Sequence, residues 1–131
     1  MLFAGSFGKI GAGILSARAC LRSGIGLLTS HIPECGISAM HAAVPETMLS
    51  LDPSDQYITE FPDLKPYTAF AAGPGLGTFT RTSAFLENLL SEIDTRPIVL
   101  DADALNMIAT WPVINDVFPD DYPHVIVAWQ K

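Results

Sequence analysis

Two stretches carry the residues best suited to chemistry: Gly73-Pro74-Gly75-Leu76-Gly77 and Asp101-Ala102-Asp103-Ala104-Leu105-Asn106. Each follows an apolar run, residues 68–72 and 98–100, which reads as a buried parallel strand. Ligands of open α/β sheets bind where such strands end. A glycine turn at that place exposes backbone N–H groups to a phosphate, most of all when the next helix points its N-terminus at the anion. The same glycines also build tight turns that bind nothing. Asp101 and Asp103 follow their strand directly, where acids can hold hydroxyls, act as bases or coordinate Mg²⁺. Asp103 has a second reading as the N-cap of a helix over residues 104–109. Asp101 is the stronger functional candidate.

Lys9 lies in a stretch free of acids and can offer a point charge to a phosphate, or stand as a solvated surface lysine. Gly8-Lys9 is not a Walker loop, because Phe3 and Ile10 occupy positions that need Gly and Ser or Thr. Nor is Gly73-x-Gly75 a dinucleotide fingerprint, since Thr78 stands where a small residue belongs. Gly11-x-Gly13-x-x-Ser16 comes nearer but lacks a clear preceding strand. His31, His41 and His124 show no metal-ligand spacing, and no Ser-His-Asp or Cys-His arrangement emerges from the order of residues.

The elements that must hold these residues follow from periodicity. A strand end at residues 2–4 leads to a helix over residues 12–23, with Ala12, Leu15, Ala19 and Arg22 on one face and Gly24 as its left-handed cap. Residues 25–32 read as a buried strand, 37–43 as a short helix and 48–51 as a strand, with a turn at 52–55. Phe85, Leu86, Leu89, Leu90 and Ile93 form the clearest apolar stripe, opposite Glu87, Asn88 and Glu92, with Thr80 or Thr82 as cap. Alternating strands and helices predict an α/β fold, a mostly parallel sheet with helices on its faces.

A chain of 131 residues with 49% hydrophobic content supports one core. The net charge of −7 argues against nucleic-acid binding, which needs clustered cations. Yet residues 1–33 hold Lys9, Arg18 and Arg22 and no acid, so one end is locally cationic. No apolar run approaches the ~20 residues of a membrane span. Cys20 and Cys35 make no disulfide framework, which points to a reducing, cytoplasmic setting.

Taken in order, residues 4–12 (Ala4-Gly5-Ser6-Phe7-Gly8-Lys9-Ile10-Gly11-Ala12), the Gly73 turn and the Asp101 block resemble the ADP- or ATP-dependent NAD(P)H-hydrate dehydratases, which have a ribokinase-like, Rossmann-like three-layer fold. Residues 22–29 and 44–48 also look like that family's intervening segments. The resemblance runs from about Leu2 to Ala109, leaving residues 110–131 as a divergent tail on a single partial domain.

The resemblance implies a lyase of metabolite repair, in which ADP or ATP, with Mg²⁺, drives the return of hydrated NADH or NADPH to the intact cofactor. It places Ala12, Gly73, Gly75 and Gly77 against the hydrated dinucleotide, with Asp101, Asp103 and Asn106 lining the same cleft. The family also carries a Thr-Pro-His-x-Gly-Glu segment and a Gly-Thr-Gly-Asp nucleotide site, and neither occurs intact here. Pro123-His124 is followed by Val125 and Ile126, so no role passes to His124. The expectation is a truncated domain lacking the nucleotide site, weak or inactive alone, its outer strand edge covered by residues 125–129 or by a homo-oligomer. A related small-molecule kinase and a noncatalytic binding or assembly module are the alternatives.

Overall fold

The computed structural model describes residues 1–112 and 125–128; His124 and Trp129, weighed above, lie outside them. In chain order the elements are β1 (Leu2–Phe3), α1 (Ile10–Arg22), β2 (Thr29–Ile32), a 3-10 turn (Glu34–Gly36), α2 (Ile37–Ala43), β3 (Met48–Leu51), β4 (Phe70–Ala72), α3 (Thr80–Glu92), β5 (Ile98–Asp101), α4 (Asp103–Ile108) and β6 (Val125–Ala128). The strands form one six-stranded sheet ordered β3-β2-β1-β4-β5-β6, parallel at every pairing. The chain therefore runs outward from β1 in one direction and outward from β4 in the other. The connections after β1 and β4 thus lead to opposite ends of the sheet, which makes the carboxyl ends of these neighbouring strands the switch point where such sheets place a crevice.

Successive residues of a strand face opposite sides of the sheet, and the core divides accordingly. Leu2, Ala4 and Ala71 join a cluster with Ala17, Ile32 and Met40, whereas Phe3, Phe70 and Ala72 pack with Phe85, Leu86 and Leu89. The first cluster draws on α1 and α2, the second on α3 and α4. The result is the three-layer α/β architecture that the sequence predicts.

The apolar stripe of α3 is buried as its spacing requires, and Gly24 adopts a φ of +91° just past α1. Three other expectations are corrected. The buried face of α1 carries Gly13 and Ala17, flanked by Ile14 and Leu21, while Leu15 is exposed. A Cβ on Gly13 would lie 3.4 Å from that of Ala4, so close packing against the sheet selects small residues there and overrides hydrophobicity. The second strand spans only Thr29–Ile32, because Ile25 and Leu27 lie in the exposed connection. Neither Thr80 nor Thr82 caps α3: Phe79 is the N-cap, and buried Thr82 donates instead to the Ile58 carbonyl at 2.9 Å.

β6 pairs with the outer side of β5, setting Val125 opposite Ile98 and Ala128 opposite Asp101. At the opposite end of the sheet from the crevice, Arg96 ties α3 to the segment before β4. Its guanidinium donates to the carbonyls of Ile93, Leu64, Tyr67 and Glu92 at 2.6–3.1 Å and lies 4.9 Å above the Phe70 ring. No helix among the described residues is long and apolar enough to cross a membrane.

Only a planar fork satisfies these acceptors at once, so Arg96→Lys keeps the charge and loses the fit. The substitution is expected to lower unfolding free energy by roughly 1–3 kcal/mol. Chemical denaturation of both proteins measures it, and an unchanged midpoint would contradict the assignment.

Candidate functional site

The loops following β1, β4 and β5 meet at the carboxyl edge of the sheet. Those after β1 and β4 are joined directly: Gly5 N–H donates to the Pro74 carbonyl at 2.9 Å, and the buried Ser6 hydroxyl donates to the Gly75 carbonyl at 2.8 Å. Two glycines make this approach possible. Gly73 has a φ of +138°, and a Cβ there would stand 1.8 Å from the Asp101 carbonyl oxygen. Gly75, at +70°, lies so close to α1 that a Cβ would meet the Lys9 carbonyl at 2.6 Å and the Ala12 methyl at 3.0 Å. Ala12, in the first turn of α1, is thereby placed against the glycine turn.

Asp103 joins all three loops. Its Oδ2 accepts from the Gly77 N–H at 2.8 Å and from Lys9 Nζ at 3.1 Å, and its Oδ1 accepts from Asn106 Nδ2 at 3.4 Å. Asp103 is not the N-cap of the last helix; Ala102 holds that position, and the carboxylate reaches across the crevice instead. Partial burial pushes its pKa up, but the bonds from Gly77, Lys9 and Asn106 outweigh burial and hold it below the ordinary carboxylate value. It is ionised at neutral pH. Lys9 is half exposed, so its ion pair contributes only about 0–1 kcal/mol. The Gly77 N–H is the partner that fixes the geometry.

Asp101 ends β5, and its Oδ1 accepts from the N–H of Ala102 at 2.7 Å. Ala102 has a φ of +47° and a ψ of −117°, a region that disfavours any Cβ. Strain of this kind, of order 1–3 kcal/mol, persists only where surrounding contacts impose it. Here it turns the chain from β5 into α4 within one residue and so delivers Asp103 to the crevice. The first turn of α1, which also opens at this edge, contains no acidic residue.

A second carboxylate escaped the sequence reading. Buried Asp52, at the end of β3, accepts from the N–H groups of Ser54, Thr59 and Glu60 and from the Thr59 hydroxyl at 2.7–3.0 Å. It thereby folds residues 52–60 over the crevice rim. Buried His31 sits beneath, with Nε2 3.4 Å from Asp52 Oδ2 and Nδ1 2.9 Å from Ser50 Oγ. The structure thus assembles a Ser-His-Asp chain that residue order concealed. Burial lowers the His31 pKa despite the neighbouring carboxylate. Burial raises that of Asp52, and its backbone donors more than reverse the effect.

A family profile described as NAD(P)H-hydrate dehydratase matches residues 1–126. The chain belongs to that family. Among curated relatives, the bifunctional NAD(P)H-hydrate repair enzyme Nnr of Moorella thermoacetica is 37% identical over 117 residues, covering 81% of this chain and 21% of the relative. The ADP-dependent (S)-NAD(P)H-hydrate dehydratase of Neisseria meningitidis is 36% identical, with 81% and 34% covered. Among solved structures, the ADP/ATP-dependent NAD(P)H-hydrate dehydratase of Bacillus subtilis, co-crystallised with ATP/Mg²⁺ and soaked with CoA, aligns with a TM-score of 0.65 at 29% identity, over 79% of this chain and 37% of that one. A Streptococcus mutans protein of 23% identity shares the fold, with a TM-score of 0.73. The present dehydratase-family chain spans about a fifth to a third of the length of these two curated relatives.

Gly73→Ala is expected to abolish the native approach of β4 to β5, read as loss of cooperative unfolding or a stability loss above about 3 kcal/mol. A stable, native-like Gly73→Ala protein would contradict it. Stability is also expected to depend on pH. A lowered His31 pKa means the unfolded chain binds more protons below its ordinary value of 6.5, so stability is full above that value and falls as pH drops below it. Asp52 adds a further loss as pH falls below 3.8. Thermal unfolding across pH 5–7 checks the first effect: His31→Gln should flatten the profile, and an equal slope in both proteins would overturn it.

Proposed function

We propose that the crevice between β1 and β4 binds hydrated NADH or NADPH and forms the dinucleotide side of an ADP- or ATP-dependent dehydratase. Family membership supports the reading, and the observation that carries it is the convergence of Gly77 N–H, Lys9 and Asp103 at the switch point of the sheet. In this reading the tight glycine turn lets a pyrophosphate approach the backbone, and the exposed Lys9 ammonium, paired with Asp103 in the free chain, turns to it as a counter-charge. Asp101, Asp103 and Asn106 accept or donate hydrogen bonds to hydroxyl groups of the same ligand. Ala12, pressed against Gly75, closes the floor of the crevice.

When bound, the nucleotide supplies the phosphoryl group that turns the ring hydroxyl into a leaving group. The 131-residue chain is proposed to bind the hydrate while turning it over weakly or not at all. The two free cysteines support a reducing, cytoplasmic setting, and the net charge of −7 favours a small-molecule ligand over nucleic acid.

Calorimetric titration of the purified chain with hydrated NADPH, followed by incubation with ADP, tests the reading. Binding without recovery of the reduced nicotinamide absorbance is expected, with Lys9→Ala weaker by roughly three- to tenfold. Turnover by the isolated chain would overturn the inactivity, and no binding by the wild-type chain would overturn the dinucleotide assignment.

A further inference from the structure

Two aromatic side chains on the loops of this edge, Tyr57 and Phe79, stack on each other, and a third, Phe7, is tied to the same segment through its backbone. Phe7 is 70% exposed and Phe79 is 45% exposed, and Tyr57 is half-buried against Phe79 with ring centroids 4.5 Å apart and planes 22° from parallel. They are held by the crevice's own framework. Phe7 lies between Gly5 and Gly8, both at positive φ, and its N–H donates to the carbonyl of Gln56, the residue before Tyr57, at 2.7 Å. Phe79 packs so tightly on Gly77 that a Cβ there would meet its ring at 2.5 Å. The segment bearing Tyr57 is folded by Asp52, whose bonds to Ser54, Thr59 and Glu60 bracket it.

What sets Phe7 apart from other exposed apolar side chains is its place: a loop fixed by backbone bonds at the carboxyl end of the sheet, where α/β folds seat their ligands. The occupant follows from the neighbouring charge. Lys9 stands two residues after Phe7, within the ~7 Å that two residues can span, and α1 begins there without an acid in its first turn. A nucleotide carries a flat ring and a phosphate at a comparable separation, whereas a lipid or peptide surface calls for a wider apolar patch. We propose that Phe7, on the loop tied to the segment that bears the Tyr57–Phe79 stack, is the platform on which a heteroaromatic ring of the dinucleotide lies while its phosphate faces Lys9. This rests on the dinucleotide reading above. Phe7 would set affinity and the choice among ring-bearing ligands, and it takes no part in bond making or breaking.

The test uses the full 131-residue chain with NADPH, nicotinamide mononucleotide, AMP and inorganic pyrophosphate as probes, followed by calorimetry and by saturation transfer from protein to ligand protons. Phe7→Ala and Phe79→Leu should each weaken NADPH roughly tenfold, since ring stacking is lost, while leaving pyrophosphate affinity within twofold. Phe7→Leu, which keeps apolar area, should recover only part of the loss. Saturation on the adenine protons, or on those of the nicotinamide, tells which ring is seated. NADPH affinity unchanged in both Phe7→Ala and Phe79→Leu, with wild-type binding intact, would overturn the platform and leave the dinucleotide reading standing. No binding of NADPH or of its hydrate by the wild-type chain would overturn both.

Discussion

The hydrogen bonds of a parallel sheet end where its strands end, so the loops beyond them need another source of order. In this protein it is Asp103. One carboxylate oxygen receives the Gly77 N–H from the loop after β4 and the Lys9 ammonium from the loop preceding α1, while the backbone carrying Asp103 continues from β5. Removing the carboxylate would leave a partly buried N–H without its acceptor and a lysine without its counter-charge. The bond to the backbone matters more than the ion pair, because an exposed ammonium is screened and free to move.

That arrangement demands backbone approaches that side chains would block. Gly73 meets the Asp101 carbonyl and Gly75 the Lys9 carbonyl at distances no Cβ tolerates, and Ala102 accepts a strained turn to aim Asp103. The crevice is therefore shaped by three neighbouring strand ends with almost no freedom to move apart. Asp52 performs a similar task on the rim, above His31, whose pKa burial lowers. Both carboxylates are ionised for the same reason: backbone N–H donors outweigh their desolvation.

Much of this was legible in the residues. The stripe on α3, the helix Ile37–Ala43 and the strand Met48–Leu51 follow from local periodicity, and glycine turns after apolar runs located the crevice. What escaped depends on distant partners. Lys9 and Asp103 lie far apart in sequence, and nothing local distinguishes a solvated lysine from one aimed at a carboxylate. Ser30 and His31 are polar yet buried, because Thr47 and Ser50 bond to them across the sheet. Asp52 reads as a turn residue, and only its fold-dependent donors reveal a buried anchor. The face of α1 was misread because small residues, rather than large apolar ones, are what the sheet can accept there.

Amide hydrogen exchange at Gly77 tests the Asp103 clamp most directly. In the wild-type chain this N–H should be protected well beyond a solvated loop amide; in Asp103→Ala it should exchange at least tenfold faster, an effect of about 1.4 kcal/mol, while amides of β4 and β5 keep their protection. Equal exchange at Gly77 in the two proteins would contradict the clamp as the interaction that orders the site.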